Sequence, residues 1–215
     1  MGPRAGLAPV PAVSRDARAE PSNAPPKQLI AIAASTGGPT ALLEIVTRLP
    51  PRRSIAVLIA QHMPDKFTRT FAERLDKRST LRITEAQDRD LVVARSGFVC
   101  PGRKCMQLES DPGGELRVRV RLPEAGDRYV PSADRLFTSV ARHAGPRAVG
   151  VILTGMGDDG VEGARAILAA GGSVIAESEA TAVVYGMPGA AVRAGVVSKS
   201  LPLGGIGDAL AMMGV

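Results

Sequence analysis

The chain has 215 residues, enough for one domain with a substantial core plus a tail. It carries 27 Lys and Arg against 21 Asp and Glu, a formal charge of +6; the charges are scattered, so charge alone does not select nucleic acid, anionic lipid or an acidic protein as partner. Aromatic residues are only 3% with no Trp, which argues against a stacking platform for single-stranded nucleic acid. No apolar run approaches the length of a membrane span, and the N-terminus lacks the apolar core of a signal peptide, so a cytoplasmic location is expected.

Residues 1–27 are rich in Pro, Ala and Arg and show no periodicity, the composition of a disordered tail or linker. Order is expected from Gln28. Leu29–Ala34 is a continuous apolar run that reads as a strand buried on both faces. Ser35-Thr-Gly-Gly38 is its exit turn, Pro39 suits the start of a helix, and Leu42, Leu43, Ile45, Val46 and Leu49 keep helical spacing up to Pro50-Pro51. The unit repeats: Ser54–Ala60 is a second buried strand, Gln61-His-Met-Pro64 its exit, and Phe67, Phe71 and Leu75 fall on one helical face. Strand, helix, strand, helix predicts a parallel sheet covered on both sides.

The middle differs. Residues 81–121 hold short extended segments. Asp111-Pro-Gly-Gly114 is a turn signal, and Leu116, Val118 and Val120 alternate with Arg117, Arg119 and Arg121 as in a strand with one wet face. A β-hairpin insertion is expected here. The parallel pattern resumes with a helix over 132–143, a buried strand over 148–153, the loop Thr154-Gly-Met-Gly-Asp-Asp-Gly160, a helix to Ala170, a strand over 173–176, a helix opened by Met187-Pro188 and a helical C-terminus. The fold class is α/β: doubly wound, mostly parallel, with helices on both faces and a hairpin insertion. Cys100 and Cys105 match no zinc or redox spacing and are expected to be small buried side chains.

In open α/β sheets, sites form at the carboxyl ends of strands. Three strands end in polar loops that deliver Ser35, His62, and Asp158 with Asp159, the residue types of a serine-hydrolase triad in the order Ser, His, Asp. A serine hydroxyl needs a base in hydrogen-bond reach and a third group to orient that base. The glycines after Ser35 let the chain turn sharply and aim backbone N–H groups at a developing oxyanion. Each residue also has a plainer role: Ser35 as a helix cap, His62 as a polar strand end, Asp158 and Asp159 as caps or ion ligands.

At these residues the sequence resembles the catalytic domain of the chemotaxis protein-glutamate methylesterases. The segments that carry the likeness are Ala34–Gly38, Gln61–Pro64, Phe67–Leu75 and Leu153–Gly160, supported by Pro131–Asp134 before Leu136-Phe137 and by Tyr185–Pro188. They run in order through nearly all of residues 28–215, which the resemblance makes the catalytic domain. It implies Ser35 as nucleophile, His62 as base and Asp159 as acid, with Thr36 and the backbone of Met156 helping to bind the oxyanion or position His62. It implies hydrolysis of γ-glutamyl methyl esters on the cytoplasmic domain of methylated chemoreceptors, with deamidation of receptor glutamines in many members, and no metal or organic cofactor. No nucleic acid and no insertion into a membrane are expected.

Two departures stand out. The family often has Asn at Asp158, and the added carboxylate is expected to raise nearby acids and His62. The family usually carries an N-terminal receiver domain, and here only the 27-residue tail precedes the catalytic segment. Arg69, Arg74, Lys77 and Arg78 offer a docking surface for acidic receptor helices, or a solvated helix face. The rival functions are a nucleotide-binding module, disfavoured because Ser35-Thr-Gly-Gly38 is neither GxGxxG nor a Walker loop; a silent receptor-binding scaffold; and a metal site at Asp158 and Asp159.

Overall fold

A computed structural model describes residues 21–51 and 53–214. Seven strands form a sheet in the order β3-β4-β2-β1-β7-β8-β9, every pairing parallel. They are β1 (Gln28–Ala34), β2 (Ile55–Gln61), β3 (Arg82–Glu85), β4 (Ser96–Val99), β7 (Ala148–Ile152), β8 (Ser173–Glu177) and β9 (Lys199–Leu201). A separate antiparallel hairpin pairs β5 (Cys105–Ser110) with β6 (Leu116–Arg121). The helices are α1 (Gly38–Arg48), α2 (Asp65–Asp76), α3 (Ala133–Ala144), α4 (Val161–Ala169), α5 (Met187–Arg193) and α6 (Leu203–Ala211).

The apolar runs divide by strand alternation into two cores. On β1, Ile30, Ile32 and Ala34 pack with residues of α1, α2 and α6, while Leu29, Ala31 and Ala33 pack with residues of α3, α4 and the hairpin. Both faces of the central strands are therefore dry, which is why β1, β2 and β7 read as unbroken apolar runs rather than alternating ones.

The doubly wound parallel sheet and the hairpin match the expected architecture, with three refinements. The segment 81–121 gives the hairpin only from Cys105 onward; β3 and β4 belong to the main sheet. β9 is a three-residue edge strand too short to show a pattern. Arg119, expected on a wet face, is buried and held between Asp88 at 3.2 Å and Glu109 at 3.1 Å. The alternation was right about the side of the strand; what the sequence did not show is that acidic neighbours cover that side. Cys100 and Cys105 are free and buried. Of the N-terminal tail, residues 1–20 lie outside the described residues; farther on, the Ser22 N–H donates to the Ala94 carbonyl (3.1 Å) and the Ala94 N–H to that of Ala24 (3.0 Å).

The order places β1 between β2 and β7. The chain passes from β1 to β2, out to the edge as β3 and back as β4 between them, then crosses to the far side of β1 and winds the other way through β7, β8 and β9. This reversal at β1 is the switch point where open α/β sheets form their clefts.

Candidate active site

Ser35, His62 and the 154–160 loop leave three adjacent strands at the same edge. Register fixes this: Ala34 pairs with Gln61, and Ala33 with Ile152. Backbone bonds continue past the strand ends, from His62 N–H to the Ala34 carbonyl (2.9 Å), from Leu153 N–H to that of Ala33 (2.9 Å) and from Ser35 N–H to that of Thr154 (3.0 Å).

His62 Nε2 lies 2.8 Å from Asp159 Oδ2. Asp159 is 1% exposed and also accepts from the N–H groups of Ala133 (2.8 Å) and Asp134 (3.0 Å) at the start of α3. A buried carboxylate needs such partners, and three donors hold this one in a single orientation. Ser132 caps the same helix by accepting from the Arg135 N–H, so the Pro131–Asp134 segment serves the acid as well as the helix. Because Nε2 faces the carboxylate, a neutral His62 carries its proton there and Nδ1 is left as the basic atom.

Ser35 is half-buried and placed by its backbone. Among the described residues its hydroxyl has no hydrogen-bond partner, a looseness common before substrate binds. The buried Gln61 amide donates to the carbonyls of Ser35 (2.9 Å) and His62 (3.0 Å), tying the two strand exits together. Gly37 has φ 83°, the left-handed conformation that makes the sharp entry into α1. Gly155 is required by contact: a Cβ there would stand 2.7 Å from Ser35 Cβ and 2.5 Å from Met187 Sδ.

Thr154 braces the nucleophile turn. Its hydroxyl donates to the Thr36 carbonyl (2.9 Å) and accepts from the Val184 N–H (2.9 Å), while its own N–H donates to buried Glu177 (2.8 Å). Burial pushes the Glu177 carboxyl up, the Thr154 N–H partly opposing. Thr36 and Met156 lie on the same rim, both exposed.

Asp158 points elsewhere than Asp159. It accepts from the Tyr129 hydroxyl (2.9 Å) and pairs with Arg128 (3.4 Å); the Tyr129 hydrogen bond first, then Arg128, holds its carboxyl below the usual range. Tyr129 is pushed up by that same bond. The raised acid nearby is Asp134, lifted chiefly by burial and next by Asp159 among the acids facing it. Among the described residues no group of three or more His, Cys, Asp or Glu is placed to hold a metal ion. A cleft of about 660 Å³ opens beside Tyr129, Asp158 and Asp159, with Arg128 and Arg193 on its walls.

The charged helix is brought only partly to this edge. α2 starts three residues after His62; Arg69 pairs with Glu85 (3.5 Å) within its first turns. Arg74 is in the last turn, about 13 Å along the axis from Asp65 at 1.5 Å per residue. Sequence reasoning missed Gln61, Tyr129, Thr154 and Glu177 as parts of the site. Only Gln61 had a signal, its place beside His62 at a strand end.

The fold is a doubly wound α/β class on a parallel sheet, with a His–Asp pair beside a serine at the sheet's switch point. The family model for the CheB methylesterase matches residues 30–210, and the chain belongs to that family. It is 46% identical to protein-glutamate methylesterase/protein-glutamine glutaminase 1 of Myxococcus xanthus over 87% of this chain and 54% of that one. It is 51% identical to protein-glutamate methylesterase/protein-glutamine glutaminase 3 of Geobacter sulfurreducens over 82% of this chain and 47% of that one. The chain thus spans about half the length of these relatives. The crystal structure of the Thermotoga maritima CheB methylesterase catalytic domain superposes with a TM-score of 0.82 at 33% identity, covering 86% of this chain and 97% of that one.

Proposed function

We propose that this chain is a protein-glutamate methylesterase acting on the cytoplasmic domain of methylated chemoreceptors, with Ser35 as nucleophile, His62 as general base and Asp159 as the acid that orients it. The observation that carries the reading is the 2.8 Å contact of His62 Nε2 with buried Asp159, beside a serine tied to His62 through Gln61. A silent scaffold has no need of a desolvated carboxylate committed to one imidazole.

Ser35 Oγ attacks the ester carbonyl as His62 Nδ1 takes its proton; the ionised Asp159 steadies the imidazolium. The carbonyl oxygen gains negative charge, and backbone N–H groups of Thr36 and Met156 on the rim are the donors proposed for it. His62 returns the proton to the departing methoxide, which leaves as methanol. Water, deprotonated by His62, then opens the acyl-serine to give the glutamate side chain and restore Ser35. With a glutamine side chain the same steps release ammonia, so deamidation needs no further residue. The reaction as written uses no metal or cofactor. A cytoplasmic site of action follows from the proposed substrate; among the described residues no helix is long and apolar enough to cross a membrane. Arg69, at the near end of α2, is the proposed contact for acidic receptor helices, and Arg74 is at most a peripheral one.

The test is methanol release from a methylated chemoreceptor by the chain and by Ser35→Ala. Release that disappears in the variant supports the assignment. A folded wild type that releases nothing from several receptors points to a scaffold.

A further inference from the structure

The ring of Tyr129 lies parallel to that of His62, with centroids 5.4 Å apart and planes 3° from parallel. We propose that Tyr129 is the positioning residue for His62, fixing the plane of the imidazole and favouring its cationic form during turnover, and that Asp158 acts by holding Tyr129. This inference rests on the proposed role of His62 as base.

Two constraints are needed to place an imidazole. The bond to Asp159 sets where Nε2 points but leaves the ring free to swing about that contact. A flat stack removes that freedom, so Nδ1 stays directed to one place. The stack also acts on charge. When His62 takes the serine proton it becomes a cation over the negative face of a π system, an attraction that operates within about 6 Å of the ring centroid. It is absent in the resting neutral form, so it lowers the barrier rather than the ground state.

Tyr129 is itself fixed. Its hydroxyl donates to Asp158, the Arg128 guanidinium sits 5.4 Å from its ring centroid, and a Cβ on Gly157 would come within 2.5 Å of its hydroxyl oxygen. Its loop is anchored by Arg135, which bonds Asp127 (2.5 Å) and Glu124 (2.6 Å). Among the described residues, the charged groups linked to the imidazole are Asp159, bonded to Nε2, and, through the stacked tyrosine, Asp158 paired with Arg128. This gives Asp158 a part distinct from that of Asp159: it acts on His62 only through a phenol ring.

The chain has two histidines, so the His62 ring protons can be assigned by NMR with His143→Gln. Tyr129→Leu is expected to lower kcat for methanol release about three- to thirtyfold with KM unchanged, and to move the His62 ring resonances out of the tyrosine ring current while those of His143 stay. Tyr129→Phe, which keeps the ring, recovers most of the loss. If Tyr129→Leu fails to fold, Asp158→Ala leaves both rings and frees the hydroxyl, and a smaller fall in kcat with a smaller shift of the His62 resonances is expected. Unchanged kcat and unchanged His62 resonances overturn the proposal, as does a rise in KM at constant kcat. The methylesterase reading fails separately, by a folded wild type that releases no methanol from several receptors; the resonances still decide whether the stack exists.

Discussion

Gln61 reaches from the end of β2 to the carbonyl of Ser35, 2.9 Å away at the end of β1. With its second bond, to the His62 carbonyl, one amide determines how far apart the serine and histidine exits stand. Its own Oε1 is buried without a partner, so the donors set its orientation.

Gln61→Leu keeps the volume and deletes both donors. The His62 carbonyl loses this partner, at a cost of about 1–3 kcal/mol if left unsatisfied, while the Ser35 carbonyl keeps the Gly38 N–H at 2.8 Å. The expected outcome is a lower denaturation midpoint together with at least a roughly tenfold fall in kcat, since small misplacements of a reacting pair are costly. A variant as active as wild type would show that the strand ladder alone spaces the two residues.

Asp159→Asn preserves shape but replaces one acceptor oxygen with a donor, facing either His62 or the N–H groups of α3. Loss of the correct tautomer in a triad costs on the order of 10⁴ in kcat, and this fall is expected with the fold retained by circular dichroism. Activity within tenfold of wild type would remove Asp159 from the triad.

Gly155→Ala places a methyl 2.7 Å from Ser35 Cβ. The nucleophile must shift, and about a hundredfold loss of methanol release is expected, on the scale that an ångström of misplacement costs. Because Met187 is struck too, a lower melting temperature should accompany it.

Glu177 supplies a pH dependence of stability. Burial raises its carboxyl above the ordinary 4.5. A group with a raised folded pKa contributes its stability fully below the unfolded value, and that contribution is lost as pH rises through the folded one. Glu177→Gln still offers an oxygen to the Thr154 N–H and cannot ionise. Its melting temperature is therefore expected to gain on wild type as pH rises from 4.5 towards 8. A gap that narrows over that range contradicts the assignment.

The strands, helices and three site loops were legible because each rests on local rules: two-sided burial makes apolar runs, and glycine turns mark their exits. Ser35, His62 and the pair Asp158 and Asp159 could be picked out because all follow strand ends; the choice of Asp159 over Asp158 is what the family resemblance implies. Gln61, Thr154 and Glu177 could not, since their roles are bonds between segments far apart in sequence. Asp158 was expected to act on its neighbours by charge; its actual contact is a tyrosine 29 positions earlier, which no spacing rule links to it. Arg119 was misplaced for a similar reason, because Asp88 and Glu109 come to it from other segments.

The reversal of winding at β1 has a consequence for assembly. Ser35 and His62 come from the first half of the chain, and Asp159 and Tyr129 from the second, joining only when β7 docks along β1. No species with one half folded holds a complete relay, so esterase activity works as a coincidence signal for both halves. Fragments divided in the exposed 122–126 stretch would each be inert, and turnover regained on mixing would count docked pairs directly.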